Sequence, residues 1–356
     1  MENPLIDNDP RIKESYLQKK LGNGAVQCFI CRRMCVLKEG ELGFCKSRKN
    51  IDGTIYTTQY GDVSSYSLNP IEKKPAYHYY PGSTALTLGS WGCNFTCDWC
   101  LNWDISNRPP PEKYADASLM TAEKVVENAN FNPSINGVCF SFNEPTLSFE
   151  FAVDVFQMLP NKFYKMFVSN GYMTGEALNI LIENGMNGLT VSFKGTENIV
   201  DCLLEIKGKY IWENLQIAYQ RGIHVELVYL LIPTINDDEE FIRDFSHKVV
   251  KNLSPNIPVH FTRYFPSHLT KIEKTSISLL QKAHTIAKNE GLNYVYLGNI
   301  PGHPFQSTYC PECLELLIKR DMFSVTFSKL TSENRCPKCN KAIPIFPNRP
   351  IYLTNT

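Results

Sequence analysis

Cys93, Cys97 and Cys100 lie in the run Gly92-Cys93-Asn94-Phe95-Thr96-Cys97-Asp98-Trp99-Cys100, directly after an apolar, strand-like stretch. Three thiolates this close in the chain can hold three irons of a cubane iron–sulfur cluster and leave the fourth iron without a protein ligand. That open corner is a place for chemistry, whereas ligation by four cysteines gives a closed cluster suited to carrying electrons. The same contrast separates catalytic from structural zinc sites. Zinc is the competing reading, because Cys97 and Cys100 also form a Cys-x2-Cys pair. A structural zinc needs a fourth ligand, and His78 is the conceivable one. Spacing and context favour iron and sulfide over zinc.

Eleven of the thirteen cysteines fall in three tight groups, at 28, 31, 35 and 45, at 93, 97 and 100, and at 310, 313, 336 and 339. Short-spaced groups of this kind are metal sites rather than a disulfide framework, which implies a reducing compartment. Cys310-Pro311-Glu312-Cys313 and Cys336-Pro337-Lys338-Cys339 form two knuckles separated by 22 residues, enough for a hairpin. They read as a zinc-ribbon or rubredoxin-like site, with zinc preferred over iron. A domain of about fifty residues has too little core by itself, so stability is the expected role. Cys28, Cys31, Cys35 and Cys45 make a less regular four-thiolate group. A structural zinc and a second iron–sulfur cluster both suit it, with a slight lean to zinc. Arg32, Arg33, Lys46, Arg48 and Lys49 surround that group as a solvated or docking face. The single Cys139 and Cys202 read as small buried side chains.

The elements that must position these thiols are strands alternating with helices. Apolar, β-branched or aromatic strands are expected at 85–91, 137–142, 163–169, 188–193, 224–232, 259–264 and 294–297. Thr121 caps a helix to Phe131, and Thr174 caps one ending at Asn184 with Gly185 just beyond. A helix opening at Asp237-Asp238-Glu239-Glu240 carries Phe241, Phe245, Val249 and Leu253 at four-residue spacing. Its acidic start and basic end suit the helix dipole. A further helix spans 277–289. Such alternation implies right-handed βαβ units and a parallel sheet, an α/β partial barrel with its chemistry at the carboxyl ends of the strands. The expected organisation is a Cys-rich segment and connector at 1–84, the barrel at 85–300 and a ribbon domain at 301–356. Residues 1–20 read as a tail or short helix. The loop from Leu101 to Met120, with prolines at 109–111, can cover the barrel mouth.

Lys and Arg total 36, as do Asp and Glu, so the formal net charge is zero. That argues against broad electrostatic binding of nucleic acid or anionic membrane. No apolar run is long enough to span a bilayer, and the first twenty residues lack an apolar signal core. The chain is expected to be soluble and cytoplasmic.

Polar residues recur at the strand ends. Asn143-Glu144-Pro145-Thr146 follows the second strand, and Glu144 is either a cofactor-facing carboxylate or a helix N-cap. Asn170 precedes Gly171 after the third strand, as a pocket residue or a turn residue. Ser192 and Lys194 end the fourth strand. Arg263 ends the sixth, either binding an anion or anchoring its loop. His303 reads as a loop histidine satisfied by backbone.

The triad resembles the signature of the radical S-adenosylmethionine (SAM) superfamily. Nearly the whole chain from 28 to 345 resembles the radical SAM proteins of the AmmeMemoRadiSam system, relatives of the pyruvate formate-lyase activating enzymes. The matching pieces are Cys28 to Cys35, Gly43-Phe44-Cys45, Asn69 to His78, Gly92 to Cys100, Asn102 to Ser106, Asn143 to Thr146, Ile232 to Asp237, Gly298-Asn299 and the two knuckles. Leu101 stands where many relatives have glutamine, and Phe142-Asn143 where the superfamily often has two glycines. Ser192 replaces an aspartate common in activating enzymes, while Lys194 matches. The resemblance implies a partial (βα)6 radical SAM barrel holding a [4Fe–4S] cluster and SAM, with Trp99 near the adenine and Glu144 at the ammonium. It also implies an electron donor of flavodoxin or ferredoxin type. The activity implied is cleavage of SAM to a 5′-deoxyadenosyl radical that abstracts hydrogen from a protein or peptide substrate. Two alternatives stand beside it: a radical SAM enzyme acting on RNA, and a non-catalytic metal-binding adaptor.

Overall fold

A computed structural model describes residues 9–112 and 119–347. The N-terminal end of the expected tail and residues 113–118 of the proline-rich loop lie outside the described residues. All seven expected strands are present: β1 (Thr84–Gly89), β2 (Gly137–Phe140), β3 (Tyr164–Ser169), β4 (Gly188–Phe193), β5 (His224–Leu231), β6 (Val259–Arg263) and β7 (Val295–Gly298). The pairings of β1 with β2, β2 with β3, β4 with β5, β5 with β6 and β6 with β7 are parallel, and the fold is α/β. The chain gathers into two compact units. One comprises 1–68, 85–187 and 209–217, the other 69–84, 188–208 and 218–356.

In the first unit β2 pairs with β1 on one side and β3 on the other, with Leu88, Phe140 and Phe167 in one row. Two helices, α1 (Ala122–Phe131) and α2 (Phe149–Met158), flank these strands in sequence, and α3 (Gly175–Glu183) follows β3. The Phe140 ring packs edge-on to Phe151 and Phe156 of α2, a core of apolar area and edge-to-face contacts. The expected caps are present. Thr121 accepts from the Lys124 N–H at 3.2 Å and Thr174 from the Ala177 N–H at 3.1 Å. The described part of the leading segment is extended, with strands Lys13–Glu14 and Gln18–Gly22 rather than a helix. Gln18–Gly22 pairs with Ala25–Cys28, so its backbone groups are satisfied by a sheet partner.

In the second unit β5 pairs with β4 and β6, and β6 with β7. Between β5 and β6 runs α5 (Glu239–Asn252), capped by Asp238. Its buried face is Ile242, Phe245, Ser246 and Val249, with Leu253 buried at its end, so three of the four expected stripe residues are buried and Phe241 is only partly so. Phe245 meets Phe193 and Tyr229 at 5.0 Å, which fixes the rotation of the helix. Cys139 is fully buried in β2, but Cys202 is exposed on the helix Glu197–Leu203, against expectation. No helix among the described residues is long and apolar enough to cross a membrane.

The connector 69–84 is held by a buried carboxylate. Glu226 of β5 accepts from the N–H groups of Tyr77 (2.9 Å) and His78 (2.7 Å) and bonds His224 and His260 at 2.9 and 2.7 Å. These partners hold its pKa well below the usual carboxylate value although burial opposes them. His78 Nδ1 donates to the Pro344 carbonyl at 3.1 Å, so Nε2 accepts from the Tyr296 hydroxyl at 2.6 Å. Burial pushes His78 down to about 3, keeping it neutral. Both its ring nitrogens are committed, which removes it as a zinc ligand.

Because unfolded His78 takes a proton below about pH 6.5 and folded His78 does not, stability must fall as pH drops from there toward 3. Glu226, with its lowered pKa, adds a further loss below about pH 4.3. His78→Gln should cost about 1–3 kcal/mol at pH 7 through the lost hydrogen bonds. The gap to the wild type should narrow by about 2 kcal/mol at pH 5. Urea denaturation at both pH values measures this; a gap independent of pH would contradict the assignment.

Candidate metal centres

The three loops leaving the carboxyl ends of β1, β2 and β3 meet around Cys93. Cys93 is partly buried at the head of the first loop, and its sulfur accepts from the Phe95 N–H at 3.3 Å. Asn170, after β3, donates from Nδ2 to Asn94 Oδ1 at 2.7 Å, with the same amide 3.9 Å from Cys93 Sγ. Glu144, after β2, is 2 % exposed and accepts four hydrogen bonds. Its Oε1 takes the Thr146 N–H (3.1 Å), the Thr146 hydroxyl (2.6 Å) and the Ser169 hydroxyl (2.7 Å), and its Oε2 the Asn170 N–H (2.8 Å). Glu144 is thus the N-cap of the 3-10 turn Pro145–Ser148 and also a tie between two strand ends. Burial still raises its pKa above the ordinary carboxylate value.

Asn143 fixes the first loop. Its Oδ1 accepts from the Ser90 N–H, and its Nδ2 donates to Ser90 Oγ and to the Gly92 carbonyl at 2.8 Å. Before it, Phe142 has φ +74°, a conformation that favours glycine. That explains why glycine suits this position in the sequences the chain resembles. The ring is accommodated because residue 89 lacks a side chain: a Cβ on Gly89 would come within 3.0 Å of it. Gly92 itself has φ +78°, and a Cβ there would meet the Cys45 carbonyl oxygen at 2.7 Å.

The Cys93 thiol is pushed well up, first by burial and then by Glu144, Cys97 and Cys100. A cationic group bound among these sulfurs is what would release their protons. Two buried donors near the triad have no protein partner, Trp99 Nε1 and Asn94 Nδ2. Three sulfurs with unspent N–H donors beside them fit a sulfide-containing cluster.

The fourth-strand and sixth-strand residues sit in the second unit. Lys194 Nζ donates to Ser192 Oγ at 2.8 Å, so these two are brought together. Arg263 donates to the Thr275 carbonyl at 2.7 Å and lies over the Phe265 ring, the loop-anchoring arrangement. His303 caps the turn Pro304–Gln306 by accepting from the Phe305 N–H.

At the carboxyl end, Cys310, Cys313, Cys336 and Cys339 bring their sulfurs within 4.8 Å of one another. The Cys310–Cys339 and Cys313–Cys336 separations are 3.4 and 3.5 Å. One zinc with bonds of 2.3 Å places sulfurs about 3.8 Å apart, so this set has the dimensions of a single tetrahedral ion. The two knuckles are superimposable in their bonding. Cys310 N–H reaches the Glu315 carbonyl and Leu314 N–H returns to Cys310; Cys336, Lys341 and Asn340 repeat the pattern. The hairpin between them is β8 (Leu316–Asp321) and β9 (Ser324–Ser328). Among the described residues this is the one set of three or more metal-ligating groups so tightly gathered.

Sequence reasoning singled out neither Asn94 nor the pair Arg48–Glu150. That pair is bidentate at 2.8 and 2.7 Å, 3 and 1 % exposed, and ties the Cys-rich segment to α2. An acidic residue among the aromatic residues at the start of that helix, Phe149-Glu150-Phe151, was the available signal.

Residues 90–245 match the sequence profile of the radical SAM superfamily. The "Uncharacterized protein MJ0808" of Methanocaldococcus jannaschii is 37% identical over 338 residues, covering 94% of this chain and 99% of that protein. The "Putative glycyl-radical enzyme activating enzyme MJ1632" of the same organism is 26% identical over 230 residues, 61% of this chain and 80% of the other. A solved domain of pyruvate-formate lyase-activating enzyme from Bacteroides vulgatus aligns with TM-score 0.40 at 20% identity, covering 46% of this chain and 99% of that one.

Gly92→Ala combines a left-handed backbone with a clash against a carbonyl. It should lose at least about 1–2 kcal/mol of stability. An unchanged urea midpoint would mean the loop is not held as described.

Proposed function

Since the chain belongs to the radical SAM superfamily, we propose that it is an enzyme built to cleave SAM reductively at Cys93, Cys97 and Cys100 and to abstract hydrogen from a protein or peptide substrate. One observation carries the reading: the triad lies where three parallel strands end, with Glu144 and Asn170 converging on Cys93. When bound, the [4Fe–4S] cluster and SAM supply a one-electron cleavage yielding a 5′-deoxyadenosyl radical.

The chain's own residues have the following parts. The three thiolates hold the cluster and leave one corner for SAM. Glu144 Oε2 accepts one hydrogen bond from the protein, which leaves it acceptor capacity for an ammonium group. Asn170 and the Phe95 N–H stabilise negative charge on the Cys93 sulfur. Asn143 is a positioning residue, its amide spent on the loop. Trp99, 6 % exposed, excludes water beside the triad and offers its Nε1 to the adenine side of the pocket. Ser192 and Lys194, which the resemblance implies as SAM contacts, are paired with each other, and Arg263 braces its loop.

The reading extends to zinc at Cys310, Cys313, Cys336 and Cys339, and to membership of the AmmeMemoRadiSam system. The electron comes from a flavodoxin- or ferredoxin-like protein. Likeness to MJ1632 by name favours the activating-enzyme chemistry, with a glycine α-hydrogen as the point of attack.

Anaerobically reconstituted protein with a low-potential reductant should convert SAM to 5′-deoxyadenosine. Cys97→Ala should lower that rate by at least about a hundredfold, since a cluster short of a ligand is not held. Equal deoxyadenosine from the variant would end the proposal.

A further inference from the structure

The N-terminal cysteines differ in geometry from the carboxyl-terminal set. Cys28, Cys31, Cys35 and Cys45 all line one small pocket in the first unit, partly open to solvent. Yet no three of their sulfurs lie within 4.8 Å of one another, the spacing met by the carboxyl-terminal four. The Cys93 triad shares that wider spread. A single zinc draws all its sulfurs to about 3.8 Å. A cubane gives each thiolate its own iron, so its ligands stand apart by the width of the cluster. The N-terminal group lacks the first geometry.

The cavity wall points the same way. Asn94 is fully buried and lines it, and its Nδ2 has no partner in the protein. A sulfur on this side of the pocket is a natural acceptor for that amide, which leaves Trp99 Nε1 as the unspent donor beside the triad. Arg33 and Arg48 also line the space, and Arg33 Nε donates to the Asn94 carbonyl at 3.0 Å. Positive charge beside four thiolates offsets the net negative charge of a cysteine-ligated cluster. The position is held from several sides. Arg32 N–H bonds the Tyr172 carbonyl, Thr174 N–H bonds Ile30, and Cys31 bridges to Met173. Asn94 adjoins Cys93 in sequence, and the Cys45 carbonyl packs directly on Gly92.

We propose that Cys28, Cys31, Cys35 and Cys45 hold a second [4Fe–4S] cluster, closed by four cysteines and set beside the catalytic one, and not a structural zinc. This role rests on the radical SAM reading of the triad. All four irons are ligated by protein, so the cluster carries electrons and does not bind SAM. One electron from a low-potential carrier protein takes its core from 2+ to 1+, and passage of that electron to the triad's cluster restores 2+. No bond forms or breaks and no proton moves.

The test uses the full chain, reconstituted anaerobically with iron and sulfide. Wild type should hold about eight irons and eight sulfides. The variant Cys93→Ser/Cys97→Ser/Cys100→Ser should keep about half of each. After dithionite reduction it should show a paramagnetic cluster signal that added SAM leaves unchanged. A triad variant with zinc in place of iron and sulfide overturns the proposal, as does a wild type with only about four irons and two zincs. Failure of the triad reading looks different: wild type and triad variant would then hold equal iron. If the triad variant does not fold, the wild-type iron and zinc count decides alone.

Discussion

A carboxylate withdrawn from water must be given donors, and Glu144 is given four. Two come from its own turn and two from the end of β3. Leaving any one unmade would expose a buried charge to an uncompensated desolvation cost. The ends of β2 and β3 are therefore fixed relative to each other. Asn170, held by that carboxylate through its N–H, reaches on to Asn94 and Cys93. The cysteine loop is then closed from the other side by Asn143 and by the tight fit of Gly92 against Cys45. Each contact is modest, but together they leave the loop one conformation.

The second unit solves a similar problem with the same chemistry. Glu226 gathers two backbone N–H groups and two histidines, and so pins the connector to β5 and β6. The ribbon is covered by a shared apolar cluster of Tyr77, Tyr294, Tyr296, Leu317, Ile318, Ile343 and Ile345. A module this small has little core alone, and here it borrows one. The three cysteine groups thus differ in how tightly their sulfurs are gathered. Sulfurs gathered at single-ion spacing suit a structural metal, and sulfurs spread about a cavity or a strand end suit a cluster.

Much of the fold was legible because its signals are local. Apolar runs of β-branched and aromatic residues marked the seven strands, Thr121 and Thr174 announced their helices by capping, and the acidic run 237–240 announced a third, which Asp238 caps. Helix α2 was not recognised, because Phe149–Met158 is dominated by apolar residues and its polar side is narrow, with Glu150, Asp154 and Gln157. Cys202 was misjudged for a related reason: in a helix of mixed polarity only packing decides which side faces out. The stripe on the helix Glu239–Asn252 was legible from Phe245 onward, where Phe245 meets Phe193 and Tyr229, while Phe241 stays only partly buried.

The amino-acid order alone determined the ligand groups, their order and the α/β class, since spacing between cysteines and alternation of strand and helix are properties of neighbouring residues. Tertiary structure decided what those ligands can hold. Asn94 and Asn170 are 76 positions apart, and Arg48 and Glu150 are 102 apart. Such pairs leave no local trace, because what joins them is the closing of loops at the ends of parallel strands. Only that closure sets the separation between sulfurs, and the separation distinguishes one ion from a cluster.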